Sequence, residues 1–482
     1  MIGKIAPFAV SNLVSGVAGL LSILLFSRLL SAEAFGYYVT LLALAALCQT
    51  AGFNWLQASV TRLHPEEADE AGRAQLAEAV RCGFGLSAVI VSTAWAIGCV
   101  ALVRSSGGAV LGIAGLSVLL FRAWASVGQS WSRIMQRPWR FATAQAVQAL
   151  GGLALALAGL AWRPQDPLVP LAAMAIASLL ASLITPLAGA SRFGGWRRNG
   201  ARLRQMWSYG GPITAVSIGF VVLAASDRLL IASILGPAAA GAYAAASGVA
   251  SHAIGLLLVP IAAATKPQVF IEFNRGGAGP AGQLLKSMSG WLIAVGLPMA
   301  VLLVCAPGAL TSVIIGGKLA DPAAVVLPWV AAGALLSGLL TLHFQSGFQI
   351  THRTKWMLLA VAPAAAFNVV FNVLLLPRFG ILAAGWSMVA SYAIALMLTI
   401  RFGSRHFRVP FSVSDALRTA AACVPLAAFL QLEFRQTMGG LALMLGGGAL
   451  IYAASAVVLN VAGSRIYLMG WLRKPAATQP LA

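Results

Sequence analysis

The sequence predicts an all-α polytopic membrane protein with about fourteen transmembrane helices, arranged as two six-helix lobes followed by two C-terminal helices. Three observations lead to this prediction. Hydrophobic residues make up 60% of the 482 residues, while charged residues make up only 9%. Apolar windows of about 20 residues, the length that crosses a bilayer, recur along the whole chain. The first part of the chain also matches a later part at a constant offset.

The composition excludes several classes of protein. An average soluble domain is about 25% charged, and the mean hydropathy here is +0.87. A soluble enzyme, a disordered chain and a disulfide-rich secreted module are therefore excluded. The net charge of +20 does not indicate nucleic-acid binding, because no stretch is expected to fold as a soluble basic face. Two interpretations of the positive charge remain: it orients the chain in the membrane, or it holds an anion inside the helix bundle.

The apolar windows define the predicted spans, and the first is interpreted as a retained helix rather than a cleaved signal. The spans are 6–27, 36–60, 80–103, 108–130, 141–162, 167–189, 209–235, 238–264, 287–307, 323–348, 356–376, 381–401, 416–432 and 440–462. Alternation of the kind that outer-membrane strands need is absent from these windows.

The distribution of basic residues predicts the orientation. With the N-terminus in the cytoplasm and alternating spans, 24 of the 32 lysines and arginines fall on the cytoplasmic side and 6 on the outside. This is the bias that cytoplasmic loops show. Both termini are therefore predicted to be cytoplasmic. The outer loops are short, and the longer polar stretches are predicted to lie along the inner surface.

An internal repeat with an offset of 205 residues divides the chain. It carries Pro7, Leu30, Gly36 and Tyr38 onto Pro212, Leu235, Gly241 and Tyr243. Six spans is an even number, so the two lobes share one orientation, as in transporters built from parallel repeats. The predicted units are an N-terminal lobe (1–190), a basic cytoplasmic linker (191–208), a C-terminal lobe (209–402), and two extra helices with a cytoplasmic tail (403–482).

Three segments are similar to a known superfamily. They are SRLLSAEAFGYY at 27–38, SDRLLIASILGPAAAGAYAAA at 226–246 and FNVVFNVLLLPRFGILAAGWSMVASY at 367–392. The chain resembles the multidrug/oligosaccharidyl-lipid/polysaccharide (MOP) exporters, and within them the Wzx-type flippases of polysaccharide repeat units. The third segment is the most specific and places six residues at the family's positions: Asn368, Asn372, Pro377, Gly380, Ala384 and Gly385. It departs from the family at 383–385, where Ala-Ala-Gly replaces the usual Gly-Ala-Ala.

The resemblance implies a V-shaped pair of lobes in the bacterial cytoplasmic membrane. It implies a flippase that moves undecaprenyl-diphosphate-linked oligosaccharide repeat units by alternating access, for exopolysaccharide or O-antigen synthesis. The implied partners are the lipid-linked oligosaccharide, membrane lipid, and a polysaccharide polymerase with its export machinery. No cofactor is implied, and the cysteines and histidines show no metal-ligand spacing.

Three charged residues fall inside predicted spans, namely Arg122 in span four and Asp227 with Arg228 in span seven. Inserting such a residue at the centre of a transmembrane helix costs about 2.5–3.5 kcal/mol. Charged side chains in spans are therefore expected to face a cavity or one another rather than lipid. We predict that Arg122 or Arg228 binds the diphosphate. Asp227 is predicted to carry a coupling ion or to pair with Arg122 across the cleft. The alternative is a fixed ion pair that only orients helices.

Two further arginines lie at predicted span ends. Arg28 is at the outer end of span one and Arg62 at the inner end of span two. Each is either an interfacial anchor or a second phosphate contact, at the exit and at the entrance respectively.

Uncharged polar residues inside spans are candidate glycan contacts, because their donors and acceptors suit sugar hydroxyls. The candidates are Gln57, Gln145, His343, Gln345 and Asn372. The alternative for each is a hydrogen bond between helices, which is common in membranes.

Two other functions were weighed. A cation-coupled multidrug exporter of the same superfamily usually needs acidic residues in the first lobe, and none lies inside spans one to six. A membrane-embedded glycosyltransferase or polymerase needs a larger outer loop with catalytic acids or bases. The outer acids are isolated on short turns, and no phosphate-binding loop motif is present. The sequence therefore predicts a transporter and not an enzyme.

Overall fold

The computed structural model describes residues 2–64, 67, 69–102, 108–186, 196–351, 353, 355–432 and 437–465. Within these ranges the chain is helical and contains no strand. The helices of the first half are α1 Ile2–Leu29, α2 Ala32–Leu63, α3 Glu70–Leu102, α4 Gly108–Ile134, α5 Pro138–Trp162 and α6 Leu168–Ile184.

The second half and the C-terminal part continue the series. These helices are α7 Trp196–Ile234, α8 Pro237–Gly276, α9 Ala278–Cys305, α10 Gly317–Ile350, α11 Lys355–Phe379, α12 Ile381–Gly403, α13 Val413–Phe429 and α14 Met438–Val458. A short helix, Pro307–Ile314, connects α9 to α10. Helix α5 contains a π turn at Val147–Gly151, and α10 contains another at Leu340–Phe344.

The predicted class is confirmed, and each predicted span coincides with one of the fourteen helices above. Eleven of these helices are long and apolar enough to cross a membrane. The apolar part of α1 (Leu13–Leu29) and helix α6 are shorter apolar helices. Helix α13, at 17 residues, coincides with the shortest predicted window. The chain is therefore a multi-pass membrane protein.

The packing repeats after six helices. In the first half, α2 contacts α3 and α4, α4 contacts α6, and α5 contacts α1 and α6. In the second half, α8 contacts α9 and α10, α10 contacts α12, and α11 contacts α7 and α12. The two sets correspond helix by helix, so the parallel repeat predicted from the sequence is present in the packing. Helix α13 packs on α9, and α14 packs on α13.

The halves meet where α2 packs along α7 and α8, and where α1 packs on α8. At the predicted outer end, a Cβ on Gly36 would lie 1.8 Å from the carbonyl oxygen of Pro237, so only glycine allows this approach. At the predicted inner end, Ser59 Oγ donates to the backbone oxygen of Met206 at 2.6 Å. These contacts join the two halves near both ends of α2.

Helices extend into two of the predicted surface stretches. Helix α7 begins at Trp196, so much of the predicted linker forms its first turns. Helix α8 continues to Gly276 and ends at Gly277, whose φ of +75° glycine adopts without strain. The helix runs past the apolar window even though it contains Pro260 and Pro267. The lobe boundaries at 190 and 209 stay a prediction.

Candidate functional site

A cavity of about 800 Å³ lies between the two halves. Helices α1, α2, α4, α5 and α6 of the first half line it, together with α7, α8, α10 and α12 of the second. Ligand sites in helical bundles are commonly built from side chains on facing helices in this way. The cavity is therefore the candidate functional site.

Small residues on α8 leave space for the cavity. They recur every three or four positions, which places them on one helix face. The cavity-lining small residues of α8 are Ala244, Ser247, Gly248, Ser251 and Gly255. On the facing helix α1, the lining residues include Ser15, Ala18, Gly19 and Ser22. Two helices with small facing residues can pack closely and still leave a polar hollow between them.

Arg122 and Arg228 both line the cavity, one from each half. The Nη2 of Arg228 donates to Ser247 Oγ at 3.4 Å, and its buried Nε has no partner. Within the described ranges, Arg122 forms no hydrogen bond or ion pair. Both guanidinium groups therefore retain donors that are free to bind an anion.

Asp227 is 2% exposed and belongs to a cluster on the second half. Tyr243 OH donates to its Oδ2 at 2.6 Å, and Asn372 Nδ2 donates to its Oδ1 at 2.8 Å. The predicted pair between Asp227 and Arg122 is not formed among the residues the structure describes. The physical reason is local, because both carboxylate oxygens accept hydrogen bonds from helices of their own half.

Asn372 lies outside the cavity lining and donates a hydrogen bond to Asp227. It is fully buried, and its Nδ2 also lies 3.1 Å from Ser387 Oγ. Its neighbour Asn368 accepts from Ser226 Oγ at 2.8 Å and donates to Ser387 Oγ at 3.0 Å. The structure therefore places Asn372 between helices α7, α11 and α12, where it positions the carboxylate.

Gln145 and Gln148 line the first-half wall near the π turn of α5. Gln148 Nε2 donates to Ser178 Oγ at 3.1 Å, and its Oε1 accepts from Gln129 Nε2 at 3.2 Å. Gln145 Oε1 is buried and has no partner among the residues that the structure describes. A buried acceptor without a donor is uncommon, so Gln145 is the uncharged side chain of this wall best suited to meet a hydroxyl group.

The comparisons with known proteins identify the family. Residues 4–270, more than half of the chain, match the family described as polysaccharide biosynthesis protein. The chain belongs to this family. No curated protein matches the sequence.

Solved structures show the fold of this polysaccharide biosynthesis family member. The lipid II flippase MurJ, in an inward-closed conformation, is similar with a TM-score of 0.77 and 13% identity, over 96% of this chain and 99% of MurJ. A multidrug resistance MATE family transporter of the MOP superfamily is similar with a TM-score of 0.54 and 14% identity, over 82% of this chain and 94% of that transporter. A MOP superfamily transporter from Pyrococcus furiosus is similar with a TM-score of 0.51 and 13% identity, over 83% of this chain and 92% of that transporter. The chain therefore has the fold of the MOP transporters.

Two predicted arginines of this family member lie away from the cavity lining. Arg28 is exposed at the end of α1 and donates to the backbone oxygen of Val313 at the end of the short connecting helix. Such a carbonyl is normally unsatisfied within its own helix, so Arg28 ties α1 to the second half. Arg62 is exposed in the last turn of α2.

Three predicted glycan contacts also lie outside the lining. Gln57 Nε2 donates to Ser126 Oγ at 3.2 Å and so connects α2 to α4. His343 is fully buried in the π turn of α10, with Nε2 3.1 Å from the backbone oxygen of Pro410. Gln345 is 4% exposed, and its Nε2 has no partner among the described residues. The structure thus places these side chains within the packed protein, outside the cavity lining.

Several cavity residues were missed by the sequence analysis, namely Tyr38, Tyr243, Tyr392 and His252. A signal existed for two of them, because the 205-residue offset relates Tyr38 to Tyr243. Both are buried and face the cavity from equivalent helices. A polar aromatic residue repeated at the start of the second helix of each half was therefore a usable indication of a shared site.

Proposed function

We propose that this chain is a flippase that moves undecaprenyl-diphosphate-linked oligosaccharide repeat units from the inner to the outer leaflet of the bacterial cytoplasmic membrane. The observation that carries the proposal is the cavity between the halves, lined by two arginines and by one acid whose oxygens are already hydrogen-bonded. Alternating access of this cavity, with both termini in the cytoplasm, serves exopolysaccharide or O-antigen synthesis.

The charge of the cavity supports an anionic substrate. Intramembrane cations are costly, and they mark substrate pathways when they face a cavity. The planar guanidinium group fits phosphate oxygens through two parallel hydrogen bonds. Arg122 approaches from the first half and Arg228 from the second, so one diphosphate placed between them contacts both lobes.

The first-half wall supports a sugar next to the diphosphate. Gln145 Oε1 is a buried acceptor without a protein donor, and a sugar hydroxyl is a donor of the right kind. Among the glycan contacts predicted from the sequence, Gln145 is the one that faces the cavity. Arg28 and Arg62 are proposed as secondary phosphate contacts at the exit and the entrance.

The family and the fold support a transporter rather than an enzyme. We infer that the substrate leaves chemically unchanged and that a polysaccharide polymerase or export machinery acts on it afterwards. The alternative is a cation-coupled multidrug exporter, which the likeness in fold to a MATE transporter favours. The two arginines that line the cavity disfavour a cationic drug, because like charges repel in a low-dielectric site.

The test is a flipping assay in proteoliposomes with a fluorescent short-chain prenyl diphosphate sugar. We expect Arg122→Ala and Arg228→Ala each to lower the flipping rate at least tenfold. A hydrogen bond to a charged group is worth about 1.5–3 kcal/mol, and about 1.4 kcal/mol corresponds to a factor of ten. The control is Arg163→Ala, which removes an exposed arginine outside the cavity.

Undiminished flipping in both cavity variants would contradict the diphosphate proposal. Proton-driven efflux of a lipophilic cation by the wild type, in the absence of flipping, would favour the multidrug exporter instead.

A further inference from the structure

His252 lies at the seam between the two halves. It is on α8, and its imidazole ring packs against Gly19 of α1. A Cβ on Gly19 would lie 2.7 Å from Cε1 of the ring and 3.0 Å from Nε2. Distances this short are not tolerated between unbonded atoms, so a glycine at this position is what makes room for the ring. The first half therefore provides a space shaped for a side chain of the second half.

The imidazole of His252 is also available to a ligand. The residue is partly buried and lines the cavity, and Arg228 is near enough to interact with it electrostatically. Within the described part of the chain, neither ring nitrogen forms a hydrogen bond. A polar ring without partners in a cavity that holds two cations is suited to contact the same anion.

The charges of the cavity and of the proposed substrate do not balance without this residue. A diphosphate esterified at both ends carries one negative charge on each phosphate. Arg122 and Arg228 contribute two positive charges, and Asp227 contributes one negative charge. The site is therefore short of one positive charge when the diphosphate is bound, and a protonated imidazole supplies it.

The tyrosines and arginines that line the cavity ordinarily keep their charge near neutral pH. The remaining charged or titratable residues that line the cavity are Tyr38 on α2, Arg122 on α4, Asp227 and Arg228 on α7, Tyr243 on α8, and Tyr392 on α12. Tyrosine ordinarily loses its proton near pH 10, and arginine ordinarily loses its proton only above pH 12. Asp227 accepts a hydrogen bond at each oxygen, as an ionised carboxylate does. Histidine ordinarily changes charge between pH 5 and 8.

We propose that His252 is the third cationic ligand of the diphosphate and that its imidazole takes up one proton when the substrate binds. The proposal rests on the proposed function. A nearby anion favours the charged form of an imidazole. The complex then holds one more proton than the free protein, so affinity is highest at low pH. It falls by up to about tenfold per pH unit as the pH rises through the range in which the imidazole loses its proton.

The experiment measures proton uptake during binding. The probe is farnesyl diphosphate N-acetylglucosamine, a diphosphate diester that does not itself titrate near neutral pH. Calorimetry on the full chain in nanodiscs, in two buffers of different ionisation enthalpy, counts the protons taken up. We expect uptake approaching one proton for the wild type. For His252→Gln we expect no uptake, binding independent of pH, and affinity about tenfold weaker at pH 6.

Two further variants test position and specificity. Gly19→Ala should displace the imidazole ring and lower the uptake while His252 remains, which covers the case in which His252→Gln does not fold. His406→Gln removes an exposed histidine outside the cavity and should bind as the wild type does.

The outcomes separate the two proposals. Proton uptake that persists in His252→Gln, or that disappears in Asp227→Asn instead, overturns the role of His252 and leaves the diphosphate site intact. A probe that fails to bind the wild type at any pH overturns the proposed function, and the role of His252 with it.

Discussion

The two walls of the cavity differ in how their polar groups are paired. In the second half, both oxygens of Asp227 accept hydrogen bonds, from Tyr243 and from Asn372. In the first half, Arg122 and the Oε1 of Gln145 have no partner among the described residues. The acid of the second-half wall is therefore fully hydrogen-bonded, whereas Arg122 and the Oε1 of Gln145 in the first-half wall form no hydrogen bond to a described residue.

A single position in the repeat explains much of this difference. The 205-residue offset that relates Tyr38 to Tyr243 also relates Ser22 to Asp227. Ser22 Oγ donates to the backbone oxygen of Ala18 in its own helix, at 2.7 Å. Without an acid at this position, Tyr38 has no acceptor of the kind that Tyr243 has. The comparison teaches that two repeats can share their helix packing while a cluster built around a buried acid is found in one of them.

The largest expected effect comes from breaking the paired wall. Asp227→Ala removes two hydrogen bonds to a charged group, from Tyr243 OH and from Asn372 Nδ2, and each is worth about 1.5–3 kcal/mol. We expect a loss of at least about 3 kcal/mol in the free energy of unfolding. Thermal unfolding of the purified protein in detergent, followed by tryptophan fluorescence, measures this change.

The control is Arg122→Leu, which removes a charge from the other wall. Arg122 forms no hydrogen bond or ion pair with a described residue. The unfolding temperature of the Arg122→Leu variant should therefore stay unchanged or rise. A larger destabilisation in Arg122→Leu than in Asp227→Ala would reverse the comparison.

An intermediate effect is expected from the two related tyrosines. Tyr243→Phe removes the hydroxyl that donates to Asp227, which should lower stability by about 1–3 kcal/mol. Tyr38→Phe removes the equivalent hydroxyl, which donates to no described residue, and should change stability by less than about 0.5 kcal/mol. Equal losses in the two variants, measured by the same unfolding experiment, would show that both walls depend on their tyrosines.

The smallest effect is expected at Gln145. Gln145→Ala removes no hydrogen bond to a described residue, so stability should change by less than about 0.5 kcal/mol. The flipping rate should fall by a few-fold, as expected for one neutral hydrogen bond of about 1 kcal/mol. Gln148→Ala is the matched control, because it loses bonds to Gln129 and Ser178 and should lose stability instead. An unchanged flipping rate in Gln145→Ala would remove this residue from the site.

The sequence predicted the charged part of the site better than the uncharged part. Arg122, Asp227 and Arg228 were found because a charge inside an apolar window has few tolerable environments. The polar residues Asn372, His343 and Gln345 also stand out within apolar windows. The structure buries them outside the cavity lining. A polar side chain inside a span can lie within the packed protein as well as in a cavity, because contacts between helices also accommodate amides and imidazoles. The pattern of polar residues along the chain is the same in both cases.

The sequence by itself determined the helical class, the number of spans and the six-helix repeat, because each of these follows from the hydrophobic content of local windows and from a constant offset. Only the tertiary structure decided which polar side chains share the cavity, that Asp227 bonds to Tyr243 and Asn372 rather than to Arg122, and that His252 packs against Gly19. These contacts join residues that lie far apart in the chain. They depend on the rotation of each helix about its axis, which is set by packing against several neighbours at once.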